Sequence, residues 1–186
     1  AGDWANVEKE FHRFGDLLWI DTSEDYRNGL TPKTLGFVHF GATQLDKRHH
    51  VPFDYLFKTD DDVYVNATQM SLELSWTEQA QYYGLFKDGA APSRDKSDNK
   101  WYLSRDAYPD DFFPPYAPSV GYALSQTFAR CAAETMETMV EMPWEDVATG
   151  ILASKCNAPL IRANENWSHF YVNGTPSDLE RFPVEK

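Results

Sequence analysis

The chain has 186 residues, 42% of them hydrophobic and 15% aromatic, with a formal net charge of −12, which is enough for one domain with a substantial core. So acidic a balance argues against a surface for nucleic acid or an anionic membrane, because phosphate backbones are bound by clustered Lys and Arg; any phosphate held here needs a cation as intermediary. No stretch approaches the ~20 consecutive apolar residues of a membrane span, and the first residues lack the basic-then-apolar order of a signal peptide.

In chain order, residues 5–14 have helical character closed by Gly15, and Asp16-Leu17-Leu18-Trp19-Ile20-Asp21 reads as a buried strand. Thr31 with Pro32 predicts a helix start, Thr as cap and Pro at the first helical position, leading into the apolar Leu35, Val38 and Phe40. A strand is expected over 53–58. It ends in the triplet Asp60-Asp61-Asp62, after which Val63-Tyr64-Val65-Asn66 resumes a β-rich pattern at once. Gln69 to Trp76 predicts a short helix and Tyr82-Tyr83-Gly84-Leu85-Phe86 another strand, while the polar residues 87–100 read as a surface loop. From Trp101-Tyr102-Leu103 to Ser125 the chain is aromatic and proline-rich, a stiff irregular loop. Ser125 then caps a helix running to about Val140, and Glu145 to Ala153 forms one more. Strands alternating with helices imply a layered α/β sheet, with no internal repeat or low-complexity tract.

Three constellations carry chemistry. Adjacent acids at a strand end store repulsion that a hard divalent cation held by oxygen ligands relieves; alone, the triplet fits a cation site and a solvated turn equally well. Glu145-Asp146 follow Met142-Pro143 and open a helix. Acids are ordinary there because of the macrodipole, and that reading is favoured by itself, but a carboxylate at a helix start facing a cleft is also a general base. The segment with Trp101, Tyr102, Tyr116, Gly121 and Tyr122 offers aromatic faces that stack on sugars and nucleobases, or a packed loop core. Gly121 suggests a close approach of the backbone to something. Cys131 and Cys156 are too few for a disulfide scaffold and lack metal-ligand spacing; they pair in an oxidising compartment or stay as two buried thiols. The sequons at Asn66, Asn166 and Asn173 lean mildly toward secretion.

Taken together, Phe57-Lys58-Thr59-Asp60-Asp61-Asp62-Val63-Tyr64-Val65-Asn66, Lys100-Trp101-Tyr102, Tyr108-Pro109 with Pro114-Pro115-Tyr116, Gly121-Tyr122-Ala123-Leu124-Ser125 and Glu145-Asp146-Val147 with Gly150 closely resemble the β-1,3-galactosyltransferase and N-acetylglucosaminyltransferase family. The upstream Phe14-Gly15-Asp16-Leu17-Leu18, Asp21, Tyr26, Asn28-Gly29-Leu30-Thr31 and Lys33-Thr34 do so too, and the resemblance covers roughly residues 10–155 of a single domain, with 156–186 as a C-terminal extension. It implies an α/β, GT-A-like mixed sheet flanked by helices, and inverting transfer of galactose or N-acetylglucosamine from a UDP-sugar to a glycan or glycoprotein hydroxyl, with manganese, in the Golgi lumen. By the same resemblance Asp62 is the direct metal ligand, Asp60 and Asp61 lie on the ribose or the metal's outer shell, with Lys58 beside the nucleotide, and Asp146 is the base. Trp101, Tyr102, Tyr116, Gly121, Tyr122 and Glu145 shape the substrate site, and His169 is a late metal ligand.

The family's strands for the uracil-binding half lie upstream of Phe14-Gly15-Asp16, so an N-terminal truncation, a partner chain or a degenerate relative is expected. Ser119-Val120 also replaces the usual Gly-Gly before Gly121. Two rivals follow: a catalytically inactive structural or binding subunit, and a calcium-stabilised module that uses the triplet.

Overall fold

A computed structural model of the chain describes residues 4–23, 25–45, 51–61, 63–77, 81–139, 141–163 and 171–172. Helix α1 (Trp4–Phe14) ends where Gly15 turns to φ +66°, the left-handed conformation that glycine adopts without strain. Helix α2 (Leu30–Phe40) continues into one π-helical turn, Gly41–Leu45. Strands β1 (Tyr55–Lys58) and β2 (Val63–Tyr64) flank the acidic turn. They are followed by α3 (Ala67–Ser75), β3 (Tyr82–Gly84), β4 (Tyr122–Ser125), α4 (Gln126–Thr135), α5 (Glu145–Lys155), β5 (Leu160–Arg162) and β6 (Tyr171–Val172).

The main sheet has the order β1-β4-β3-β5, and β2 pairs with β6 in a separate two-stranded ladder. β4 runs antiparallel to both its neighbours, whereas β3 and β5 are parallel, so the sheet is mixed and the α/β class expected from the sequence is the class found. Successive strand residues face opposite sides, and two cores result. Tyr82, Tyr122 and Leu124 join Val38, Phe128 and Leu152 from α2, α4 and α5 on one face. Tyr83 and Ala123 join Leu74 of α3, with Phe57 and Met70 against them, on the other. The Cys131–Cys156 disulfide ties α4 to the residue that ends α5, which settles the choice left open by composition. Closing a loop of that size removes unfolded-chain entropy worth ~3 kcal/mol. No helix among the described residues is long and apolar enough to cross a membrane.

Several local expectations change. Residues 16–21 form no strand: Trp19 is 66% exposed, Leu17 and Leu18 are exposed as well, and the segment joins no ladder of the described sheets. Its apolar residues pack on helices instead, Trp19 against Trp4 and Ile20 against Gly36 of α2. Thr31 is not a cap. Gly29 holds that position without a side-chain bond, while Asp25 Oδ1 accepts from the amides of Arg27 and Asn28 just upstream, ordering the turn into α2. Thr31 is buried in the first turn, and Pro32 follows as the third helical residue. The α3 helix starts two residues early because the Asn66 side chain accepts from the Gln69 amide at 3.1 Å. Ser125 caps α4 as expected, accepting from the Phe128 amide, but α4 ends at Thr135 and a 3₁₀ turn follows. Tyr122–Ser125, read as loop, is one of the two interior strands of the main sheet. Being covered on both faces, it shows no polar alternation.

Candidate active site

The antiparallel register of β1 with β4 puts Lys58 opposite Tyr122, at the end of the sheet where the acidic turn begins. Helix α5 brings its first turn to the same place. It comes close because Gly150 has no side chain: a Cβ there would lie 2.6 Å from Tyr116 Cβ and 2.8 Å from the Pro115 carbonyl. Segment 114–118 is held in turn by Lys87, whose amide donates to the Tyr116 carbonyl at 2.8 Å.

Lys58 directs its ammonium at three acceptors: Asp60 Oδ1, Glu145 Oε1 at 2.8 Å and the Ser119 carbonyl at 3.3 Å. Glu145 is 4% exposed, and its second oxygen accepts from the Tyr122 hydroxyl. Thr149, one helical turn on, lies 3.2 Å from that hydroxyl and donates to the Glu145 carbonyl. Burial pushes the Glu145 carboxyl up, and the Lys58 ammonium and Tyr122 hydrogen bond pull only part of the way back. Tyr122 itself is driven well above the ordinary phenol range, first by burial and then by the Glu145 charge.

Asp146 differs from its neighbour. Its described hydrogen bond is to the amide of Val147, within its own helical turn. Burial pushes its carboxyl up, while that amide and the charges of Lys87 and Lys58 work against the shift. The field of Asp146 reaches Tyr26 and Tyr116, raising both phenols after the effect of their own burial. Tyr26 feels Asp60 and Glu145 as well, which puts the upstream segment near the acids. Arg27 holds it there by donating to the carbonyls of Asn99 at 2.6 Å and Tyr102 at 3.2 Å. An aromatic wall stands alongside: Lys100 Nζ lies 5.0 Å from the Tyr26 ring and 4.8 Å from the Trp101 ring, and Trp101 is 5.6 Å from Trp144, the residue before α5.

The residues singled out in the sequence thus divide into groups. Lys58, Asp60, Glu145, Asp146 and Tyr122 converge. Lys58, expected beside a nucleotide, points all three N–H groups at protein acceptors, and Glu145 and Tyr122, expected on substrate, are buried against one another. Tyr116 packs with Leu103, Phe113, Trp144 and Val147, and Tyr102 lies half-buried in the 93–103 loop with its carbonyl on Arg27. Gly121 is buried and its carbonyl backs onto Gly84, so the close approach is to the neighbouring strand. Trp101 remains 46% exposed and open to a ligand. Asp61 is exposed, while Asp62 and His169 lie outside the described residues, as do Asn166 and Asn173. Among the described residues no group of three or more His, Cys, Asp or Glu is arranged to hold a metal ion. Arg27, Lys87 and Thr149 were not anticipated; only Thr149 has a local signal, its four-residue spacing from Glu145. A groove of about 670 Å³ between β1 and α3, lined by Tyr55, Phe57, Met70 and Leu74 among others, includes none of the expected site residues.

A family model described as Galactosyltransferase matches residues 2–164, spanning the sheet, the acidic turn and the first turn of α5. The chain belongs to the galactosyltransferase family. It is similar to β-1,3-galactosyltransferase 1 of mouse and of human, 32% identical over 152 residues that are 80% of this chain and 44% of each relative. It is also similar to β-1,3-galactosyltransferase GALT1 of Arabidopsis thaliana, 33% identical over 79% of this chain and 23% of that protein. For mouse β-1,3-galactosyltransferase 2 the identity is 30%, over 86% of this chain and 37% of that protein. This galactosyltransferase-family chain therefore spans less than half the length of these curated relatives.

Proposed function

We propose that this chain is the catalytic part of an inverting β-1,3-glycosyltransferase that moves galactose from UDP-galactose to the hydroxyl of a glycan or glycoprotein acceptor in the Golgi lumen. The relatives' names supply galactose and the β-1,3 linkage. The observation that carries the reading is Asp146: a desolvated carboxylate in the first turn of α5, beside the acidic turn, with no described side-chain donor to neutralise it. A carboxyl so placed has its basicity raised and its proton-accepting form oriented by the Val147 amide, which suits removal of a proton from an acceptor hydroxyl. Attack of that hydroxyl on the anomeric carbon, opposite the departing UDP, forms the new glycosidic bond as the sugar–phosphate bond breaks, so one displacement inverts the configuration. Trp101 and Tyr26 offer aromatic faces against which a sugar ring packs.

The donor set suits a hard cation. Asp60 is 43% exposed, with one carboxylate oxygen on Lys58 and the other outside any described hydrogen bond, and Asp61 is exposed beside it; oxygen donors of this kind match manganese, magnesium or calcium. Asp60 and Asp61 would hold it, together with Asp62 and His169 by the family resemblance. Such a cation, when bound, neutralises the charge that develops on the diphosphate leaving group.

The test is calorimetric titration of UDP with and without manganese, followed by galactose transfer from UDP-galactose to β-galactoside and N-acetylglucosaminide acceptors, for the parent chain and for Asp146→Asn. Manganese-dependent UDP binding in both proteins, with transfer abolished in the variant, is the expected result. Transfer that survives Asp146→Asn refutes the base assignment, and a folded chain that neither binds UDP nor transfers sugar is a structural relative.

A further inference from the structure

Lys58 and Glu145 take no part in the chemistry proposed above, yet they form a buried ion pair between the acidic turn and the base helix. Resting on the transferase reading, we infer that this pair, with Tyr122 behind it, is a positioning device: it fixes the roll of α5 and so aims Asp146, while the same ammonium holds Asp60.

Asp146 is not anchored to the body of the protein by its own described hydrogen bond. That bond is to the amide of Val147, which moves with the helix and so cannot anchor the helix to anything. The N-terminus of α5 has no side-chain cap, because Trp144 holds that position without a capping hydrogen bond. Further along, Gly150 against Pro115–Tyr116 sets how closely α5 lies to the body, and Cys156 ties its far end to α4. Buried Val147 and Ala148 pack the first turn with Leu103, Phe113 and Tyr116 and limit its rotation, but no directional bond in these contacts sets it. Glu145 does so: one carboxylate oxygen is held by Lys58 of β1 and the other by Tyr122 of β4, so the first turn is bolted to two adjacent strands through a side chain with little room to move.

Helix geometry carries the consequence to the next residue. Successive side chains are turned by about 100° around an α-helix, so with Glu145 held against β1 and β4, Asp146 is turned aside from those strands by that angle. Lys58 extends the device to the other half of the site, because the ammonium that holds Glu145 also holds Asp60 and the Ser119 carbonyl. An ion pair is a poor choice for stability alone, since well-packed apolar residues of similar volume serve as well or better in a buried site. What the pair adds is directionality, with each donor and acceptor matched.

The experiment measures kcat and KM for UDP-galactose in the parent, Lys58→Met, Glu145→Leu, the double variant and Tyr122→Phe, with circular dichroism and thermal melts to establish folding. Glu145→Leu keeps comparable bulk and removes both bolts, whereas a glutamine there could still accept from Lys58 and donate to the Tyr122 hydroxyl. Misplacement of a catalytic group by an ångström lowers turnover about 100-fold. Folded Lys58→Met and Glu145→Leu are therefore expected to lose about 100-fold in kcat at nearly unchanged KM, and the double variant no more than either single one, because the pair acts as a unit. Tyr122→Phe removes one hydrogen bond without unpairing a charge. It keeps the question open to test if the other variants fail to fold, and a fall in kcat at constant KM is expected there too.

Unchanged kcat in the folded variants overturns the inference, and so does a rise in KM alone, which would make these residues direct substrate contacts. A parent chain that transfers no sugar removes the transferase reading and this inference together. An active parent with indifferent variants removes the inference alone.

Discussion

Replacing Gly150 with alanine asks whether α5 really lies against segment 114–118. Two effects of opposite sign compete. Alanine is the better helix former by about 1 kcal/mol in a helix interior, so on propensity alone the variant is more stable. Against that, the new Cβ would stand 2.6 Å from Tyr116 Cβ and 2.8 Å from the Pro115 carbonyl oxygen. Carbon atoms in contact sit at about 3.5–4.0 Å, so the overlap is about 1 Å. Both obstructing atoms belong to the backbone or lie next to it and cannot rotate away. The overpacking cost therefore falls near the upper end of the usual range, about 3 kcal/mol. The net expectation is a loss of about 2 kcal/mol, a drop in Tm of about 4–8 °C for a chain of this length. Because relief requires α5 to move outward, Asp146 moves with it, and turnover falls about 100-fold. Differential scanning calorimetry supplies the first number and initial rates with UDP-galactose the second. Gly36→Ala is the control: its Cβ would meet only the side chain of Ile20, at 2.9 Å, which can rotate aside, so Tm should stay within a few degrees of the parent. A Gly150→Ala protein that melts at or above the parent temperature would show that propensity wins, and that α5 is not packed as described.

Two further outcomes follow from the charges and the cross-link. Burial raises the carboxyls of Glu145 and Asp146, so the folded state binds their protons more tightly than the unfolded chain does, and their contribution to stability is present at low pH and lost as pH rises through the folded values. Asp146→Asn should therefore raise Tm at neutral pH by an amount that shrinks on acidification, and in the parent the acidic limb of kcat/KM should lie above the ordinary carboxylate range. A Tm gain that grows on acidification contradicts the assignment. Reduction of Cys131–Cys156, or Cys131→Ala with Cys156→Ala, should cost ~3 kcal/mol, read as a lower midpoint in urea with the mixed sheet retained by circular dichroism.

What could be seen in the sequence was local or repeated in type. Ser125 and Asn66 end strands and begin helices in side-chain oxygens, and the Gly15 stop follows a helical pattern, so these boundaries were readable or nearly so. The failures share one cause, which is dependence on partners distant in the chain. The apolar run 16–21 has strand composition, but whether it pairs is decided by the availability of a sheet edge, and in this structure it lies on α1 and α2. Tyr122–Ser125 was hidden for the opposite reason: a strand covered on both faces loses the alternation that marks strands, and its prolines and aromatics upstream suggest loop. In the site, the acids at 60–61 and 145–146 could be located from residue type and family pattern. The resemblance implied a base at Asp146 and a substrate contact at Glu145, but the burial of Glu145 against Lys58 and Tyr122 depends on strands distant in the chain and has no local signal.

The difference between these two acids explains how an acidic chain can keep a basic carboxylate at work. Three lysines stand near the acids, and each is placed so that it leaves Asp146 without a direct ammonium contact. Lys58 is taken by Glu145, Asp60 and a carbonyl, and Lys100 rests on two aromatic faces. Lys87 acts on Asp146 through its field, with no described hydrogen bond between them. A direct ammonium contact would pull the carboxyl down, as Lys58 does in part for Glu145, and make it a poorer proton acceptor. With the cations diverted, desolvation sets the balance and the carboxyl rises. The same diversion puts Lys58 on Glu145, where it offsets part of the burial that raises this carboxyl and fixes the side chain in place. Of two adjacent carboxylates on one helical turn, one is thus neutralised to hold the helix, and the other is left to titrate.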